Sequence, residues 1–388
     1  MTQPLFLQNI IACIWDFDKT LSPGYMQAPI FEHYKVDAKK FWREIEQLPD
    51  VYKSNGLDLI STDTLYLNHI LTYTRQGVFK ELNNSRLRKL GAKIELYNGL
   101  PQFFEEIKQF VSTHADWRRH DIQVEHYIVS TGLRQMILGS KIAPYVDGVW
   151  GCEFVEESPP PGYLEKAAEP VSKNLRIISQ IAYALDNTTK TRAVFEINKG
   201  SNKIPEIDVN AMIPNADRRV PFQNMIYVAD GPSDIPVFSL INRFGGRTFA
   251  VYQPESSQEF SQVNSLQKQK RVQSFGEANY TRGSQTAMWI INAVSEISAQ
   301  IVVNRERALG DKIIDHQLGG LQAIVRFEIQ RGHAAGDIQR QGDVDTFAGD
   351  GLFALHDLWP GQTNDHQHDG QDAADGIKIN AASAGNFG

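Results

Sequence analysis

The stretch Ile11-Ala12-Cys13-Ile14-Trp15-Asp16-Phe17-Asp18-Lys19-Thr20 organises the chain. From Ile10 to Trp15 every side chain is apolar, the pattern of a strand buried on both faces of a parallel sheet. The run ends abruptly in two carboxylates spaced by one residue. Residues two apart in extended chain point the same way, so Asp16 and Asp18 converge at the strand's carboxyl end. In open α/β sheets that is the end where ligands bind. Burying adjacent carboxylates without counter-charge is costly, so the pair calls for a cation, basic side chains or both. A strand followed by a polar turn, with Asp18 or Thr20 as a cap, is the alternative this stretch alone leaves open.

Two more buried strands end in polar turns. Residues 124–129 run into Ser130-Thr131-Gly132, with a helix expected over 133–138. A strand, a small polar turn and a helix start leave backbone N–H groups free for an anion; an ordinary helix cap has the same look. Met225–Ala229 runs into Asp230-Gly231-Pro232-Ser233-Asp234, again placing carboxylates at a strand's end.

Between the first two strands the pattern is helical. Residues 31–48 carry Phe41, Ile45 and Leu48 at helical spacing, 51–58 read as a break, Thr62–Arg75 is an amphipathic helix, and 79–90 is a further one. Pro101 opens another helix, with Leu100, Phe104, Ile107 and Val111 as its apolar stripe. Residues 146–155 read as a strand pair or a strand and its return, and 177–185 are undecided between helix and strand. A helix follows over 190–198, then one over 235–241, a strand over Arg247–Tyr252, and a last amphipathic helix marked by Ile290, Val294, Ile297 and Ile301. Beyond 306 Asp, Gln, His, Gly and Ala dominate, so 306–388 is read as a low-complexity, disordered tail.

Composition narrows the class. A net charge of −7 over 388 residues lacks the basic surplus of a nucleic-acid binder. The two cysteines, Cys13 and Cys152, are no disulfide framework and fit a reducing compartment. No stretch approaches membrane-spanning length and no signal peptide is evident. The expectation is a cytoplasmic protein without nucleic-acid or membrane partners.

Together, Asp16-x-Asp18-x-Thr20, Ser130, and Asp230-x-x-x-Asp234, each after its own strand and in this order, resemble the haloacid dehalogenase-like hydrolase superfamily in its phosphatase form. The nearest branch is the phosphoserine-phosphatase-like one, and the resemblance covers residues 8–305. It implies an α/β fold, a doubly wound parallel sheet with an inserted helical cap. Residues 1–24 and 98–305 would form the core and 25–97 the cap. It further implies Asp16 as nucleophile and Asp18 as general acid and base. Mg2+ would be held by Asp16, the Asp18 carbonyl and Asp230, with Asp234 in support, and the phosphoryl group by Ser130, Thr131 and Gly132. The family's lysine is assigned to Lys190, which opens its helix, with Lys173, Lys199 and Lys203 as alternatives. The substrate implied is a small phosphorylated metabolite. Ser22-Pro23-Gly24-Tyr25-Met26-Gln27 contains no acidic residue, where the branch acting on phosphoserine carries one. Asp18-Lys19-Thr20 also matches the start of the P-type ion-pump signature, but that signature continues Gly-Thr and this chain reads Leu21-Ser22. The other readings carried forward are a phosphomutase or phosphotransferase of the same superfamily and a non-catalytic phosphometabolite binder.

Overall fold

Seven strands lie in the order β4-β3-β2-β1-β5-β6-β7 in the computed structural model, which describes residues 6–159, 161–164 and 176–309. The first strand is β1 (Ile10–Trp15), followed by four helices, α1 (Ala28–Tyr34), α2 (Ala38–Ser54), α3 (Thr62–Arg75) and α4 (Asn84–Gly91). Next come α5 (Gln102–Thr113), α6 (Ala115–Arg119), β2 (Gln123–Leu133), α7 (Arg134–Gly139), β3 (Gly148–Glu156) and β4 (Ile178–Tyr183). The chain then runs through α8 (Lys190–Lys199), β5 (Met225–Ala229), α9 (Ile235–Arg243), β6 (Arg247–Tyr252), α10 (Ser257–Lys268) and β7 (Ser274–Glu277). It reaches a final helix, α11 (Gln285–Leu309).

All pairings are parallel except β3 with β4. The fold is therefore α/β and doubly wound, as the resemblance implies. β1 is central, with β2 on one side and β5 on the other, so the crevice beyond its carboxyl end is the topological switch point. Ile11 to Trp15 have no solvent exposure, which is why the run carries no alternation.

Several local expectations shift. Helix α2 runs through Pro49 to Ser54, where a break was expected from 51. The helix expected over 79–90 begins only at Asn84; Glu81 has φ +59°, and Asn83 caps the helix by accepting from Arg86 N–H at 2.8 Å. Residues 177–185 resolve as a strand, held antiparallel to β3. Ser130-Thr131-Gly132 are not a turn before a helix. β2 stays extended to Leu133, which resumes pairing with Cys152 after a register shift past Val129. Helix α10 and β7 were not anticipated.

Helix α11 is long and apolar enough to cross a membrane by length and composition, with a mean hydropathy of 1.3 over its most apolar stretch. That departs from the expectation that no stretch approaches this length. Its Ile290, Val294, Ile297 and Ile301 are buried, and Trp289 packs on Phe249 of β6 at 4.7 Å between ring centroids. Its apolar stripe thus covers the sheet. The tail read over 306–388 lies outside the described residues from 310 onward; 306–309 complete α11.

Helices α1 to α4 form the block inserted after β1, and that block is tied to the core. Asn84 donates from its backbone to Glu156 at 2.7 Å and from its amide to the Phe154 carbonyl at 3.0 Å. Ile178 N–H donates to the Leu82 carbonyl at 3.0 Å. α4 meets α7 backbone to backbone: a Cβ on Gly91 would lie 2.1 Å from the Met136 carbonyl oxygen, and one on Gly139 1.9 Å from that of Arg88. Neither neighbour is a flexible side chain, so the helices would have to separate. Gly91→Ala should therefore cost about 1–3 kcal/mol, whereas Gly24→Ala, with nothing within 4 Å, should stay within about 0.5 kcal/mol of the parent. Urea denaturation of the two variants checks this; equal midpoints would show that α4 does not depend on the contact.

Candidate active site

Asp16 continues the line of β1, its N–H donating to the Val228 carbonyl of β5 at 2.9 Å. After Phe17 the chain turns at once. The N–H groups of Thr20, Leu21 and Ser22 all donate to the Phe17 carbonyl, and Lys19 takes a left-handed conformation at φ +57°. The turn brings Met26 back over the strand end, where its N–H donates to Asp18 Oδ1 at 2.8 Å.

Lys190 enters from the first turn of α8. Its side chain is 1% exposed, and its Nζ lies 3.0 Å from Asp16 Oδ1 and 2.7 Å from Asp234 Oδ1. The turn before α8 fixes it: Asp186 Oδ1 accepts from the N–H groups of Thr188 and Thr189, and Asp186 O accepts from Lys190 N–H at 3.0 Å. The alternatives lie elsewhere. Lys199 Nζ donates to the Val209 and Ala211 carbonyls, Lys203 Nζ to that of Asp147, and Lys173 falls outside the described residues.

Asp234 is wholly buried. Besides Lys190, it accepts from Tyr227 Oη at 2.5 Å on Oδ1 and from Ser233 Oγ at 2.8 Å on Oδ2. Its protein partners already occupy both oxygens, so its clearest task is to hold Lys190. Tyr227 was not singled out from the sequence, since a tyrosine in an apolar strand reads as core.

One carboxylate oxygen from each of Asp16, Asp230 and Asp234 lies within 4.8 Å of the others. Burial pushes the Asp16 carboxyl up to about 6 against the pull of Lys190, and pushes Asp18 up to about 8 with Asp16 adding to the rise. Asp230 is raised well above the carboxylate range by burial, then by Asp16 and Asp234. Burial alone would lower Lys190, but Asp16 and Asp234 overturn that and raise it. One buried ammonium thus faces four carboxyl groups. The surplus of hard oxygen donors is the chemistry of a Mg2+ or Ca2+ site.

Ser130 is buried at the carboxyl end of β2. Its Oγ accepts from Gly132 N–H at 3.1 Å, and Leu133 N–H donates to Met26 Sδ at 3.0 Å. The helix expected from 133 starts at Arg134, but Ser130 to Leu133 before it are extended, and the N–H groups of Gly132 and Leu133 are already engaged by side chains. Two arginines of the inserted helices already have protein partners: Arg86 pairs with Glu81 and Arg88 with Gln135.

The chain is 43% identical over 290 residues to an uncharacterised protein of Borreliella burgdorferi, a match spanning 74% of this chain and 97% of that one. It belongs to the family of that protein. No family model matches it. Among solved structures it is similar to a haloacid dehalogenase (HAD) family hydrolase from Salmonella enterica serovar Typhi, at 13% identity over 71% of this chain and 68% of that one, with a TM-score of 0.41. A phosphoserine phosphatase solved as a phospho-aspartyl intermediate analogue aligns at 13% identity over 69% and 93%, with a TM-score of 0.37. A HAD-like family protein from Streptococcus pneumoniae aligns at 14% identity over 69% and 94%, with a TM-score of 0.33. The motif residues Asp16, Ser130 and Asp230 lie at the carboxyl-end side of β1, β2 and β5, three neighbouring parallel strands.

The electrostatics set a linkage. A carboxyl whose pKa is raised on folding stabilises the fold below its ordinary pKa, and that contribution is lost as pH climbs through the folded value. For Asp16 and Asp18 the window opens near the ordinary 3.8 and closes near 6 and 8. Metal-free protein should therefore lose stability from about pH 4 to about pH 8. A divalent cation competes with these protons and binds only the folded chain. Mg2+ should accordingly raise Tm more at pH 8 than at pH 5, and Asp230→Asn should remove most of that difference. Thermal scans at the two pH values check this; equal shifts at both would sink the assignment of these carboxylates to a cation.

Proposed function

We propose that this chain is a HAD-type phosphatase that hydrolyses small-molecule phosphate monoesters through an aspartyl-phosphate on Asp16, with Mg2+ as cofactor. The observation that carries the reading is the Lys190 ammonium set between Asp16 and Asp234, beside an Asp18 carboxyl raised to about 8. Lys190 stabilises Asp16 as the ionised nucleophile. Asp18 is held protonated near neutral pH, the state a general acid needs. Two carboxyl groups at one strand end are thus driven towards different protonation states, and a mere phosphate binder has no use for that division.

In the first step an Asp16 oxygen attacks phosphorus, the ester P–O bond breaks, and Asp18 gives its proton to the leaving oxygen. In the second, Asp18 takes a proton from water as it attacks the acyl phosphate, and inorganic phosphate leaves. Ser130 donates to a phosphoryl oxygen throughout. Asp16, Asp230 and the Asp18 carbonyl would hold Mg2+, which when bound would neutralise phosphoryl charge. The cap favours small substrates over folded phosphoproteins by limiting access to the strand ends. A cytoplasmic setting without nucleic-acid or membrane partners belongs to the same reading; two buried, free cysteines support the reducing compartment.

Release of phosphate from a panel of phosphorylated metabolites with Mg2+ tests the activity. Rapid-quench labelling with an aryl phosphate tests the roles. Asp16→Asn should form no hydroxylamine-labile phosphoenzyme. Asp18→Asn should still be labelled, since a nitrophenolate leaves without a proton, and should lose its label slowly, because water then lacks its base. Label trapped on Asp16→Asn, or abolished equally in both, would show the roles to be wrongly assigned.

A further inference from the structure

Helix α3 of the cap reaches the phosphate-binding segment through one side chain. Tyr66 is buried, and its Oη donates to the Thr131 carbonyl oxygen at 2.5 Å. Cys152 Sγ, from β3, donates to the same oxygen at 3.2 Å. A trans peptide is planar, with its C=O and the following N–H pointing in opposite directions. Fixing the Thr131 carbonyl therefore fixes the direction of Gly132 N–H, which donates to Ser130 Oγ at 3.1 Å. A hydroxyl oxygen that accepts this bond keeps its own hydrogen for another acceptor. Met26 packs at the other side of Gly132: a Cβ there would lie 2.2 Å from Met26 Cε, so any larger residue would have to move the methionine.

We propose that Tyr66 is a positioning residue that sets Ser130 for the phosphoryl group, relaying through the Thr131–Gly132 peptide, so that the phosphate site is complete only with the cap seated. Its functional consequence rests on the phosphatase reading; the relay does not. With Tyr66 withdrawn, the Thr131 carbonyl keeps only the weak thiol donor, the peptide plane is free to rotate, and Ser130 loses its orienting partner. The cap then acts on chemistry by orienting a donor as well as by excluding water.

The test is Tyr66→Phe, which keeps the ring and its packing, alone and combined with Ser130→Ala. Amide hydrogen exchange at Gly132 reads the relay without any need for turnover, and should quicken about tenfold in Tyr66→Phe. With an aryl phosphate and Mg2+, Tyr66→Phe should lower kcat/KM about 5- to 20-fold, the scale of one buried hydrogen bond. Ser130→Ala should lower it about 100-fold, as for a lost oxyanion donor. The double variant should be no worse than Ser130→Ala alone, because Tyr66 then has nothing left to orient. Unchanged exchange at Gly132, or fully additive losses, would overturn the relay. If the parent chain turns over no phosphate ester, the phosphatase reading falls, while the exchange measurement still decides whether Tyr66 holds the segment.

Discussion

The constraint on which the site depends is the burial of one ammonium among carboxylates. Taking Lys190, Asp16 and Asp234 out of water costs several kcal/mol per ion, recovered only where geometry and hydrogen bonds are good. Here they are, with contacts of 2.7 and 3.0 Å and Tyr227 and Ser233 completing Asp234. The three members come from β1, the start of α8 and the turn after β5, so the adjacency of β1 and β5 and the entry of α8 must all be right for the pair of bonds to form. Removing one partner of such a group leaves an uncompensated buried charge, on the order of 3–5 kcal/mol. Stability and catalytic geometry are thus two readings of the same contacts.

That dependence explains what was legible in the sequence. β1 and β5 are buried on both faces, so uninterrupted apolar runs marked them, and the carboxylates at their ends stood out as polar residues where a core run stops. Lys190 could be favoured because it opens a helix after an Asp-Asn-Thr-Thr turn. What decided it among the lysines, the approach of α8 to β1, is a tertiary fact. Tyr227 and Tyr66 were invisible for the same reason: each makes a single hydrogen bond to a residue far off or on another face, and the chain around them reads as ordinary core. The helix expected from 133 is there, one residue on at Arg134, but Ser130 to Gly132 are extended where a turn was expected, because renewed pairing of Leu133 with Cys152 is set by β3.

The inserted helices are joined to the sheet in several ways. α4 is welded to α7 through Gly91 and Gly139, Asn84 at its start bonds to β3, and Leu82 before it bonds to β4. α3 packs on β4 and reaches the Ser130–Gly132 segment through the phenol of Tyr66. In the proposed mechanism an opening on the side of α1 to α3 gives up that packing together with one hydrogen bond of net worth about 1 kcal/mol.

In the proposed mechanism an opening there has a chemical consequence. Asp18, raised to about 8, is bonded to Met26 N–H, and Met26 Sδ accepts from Leu133 N–H at the end of the segment that Tyr66 holds. The carboxyl proposed as proton donor and the hydroxyl proposed to bind the phosphoryl group are thus joined across the crevice by one methionine and one tyrosine. Solvent entering on that side would lower the desolvation that keeps Asp18 protonated and at the same time loosen the segment that orients Ser130. Acid and donor would then be disarmed together when the cap lifts and armed together when it seats, which confines proton transfer to the state in which water is excluded.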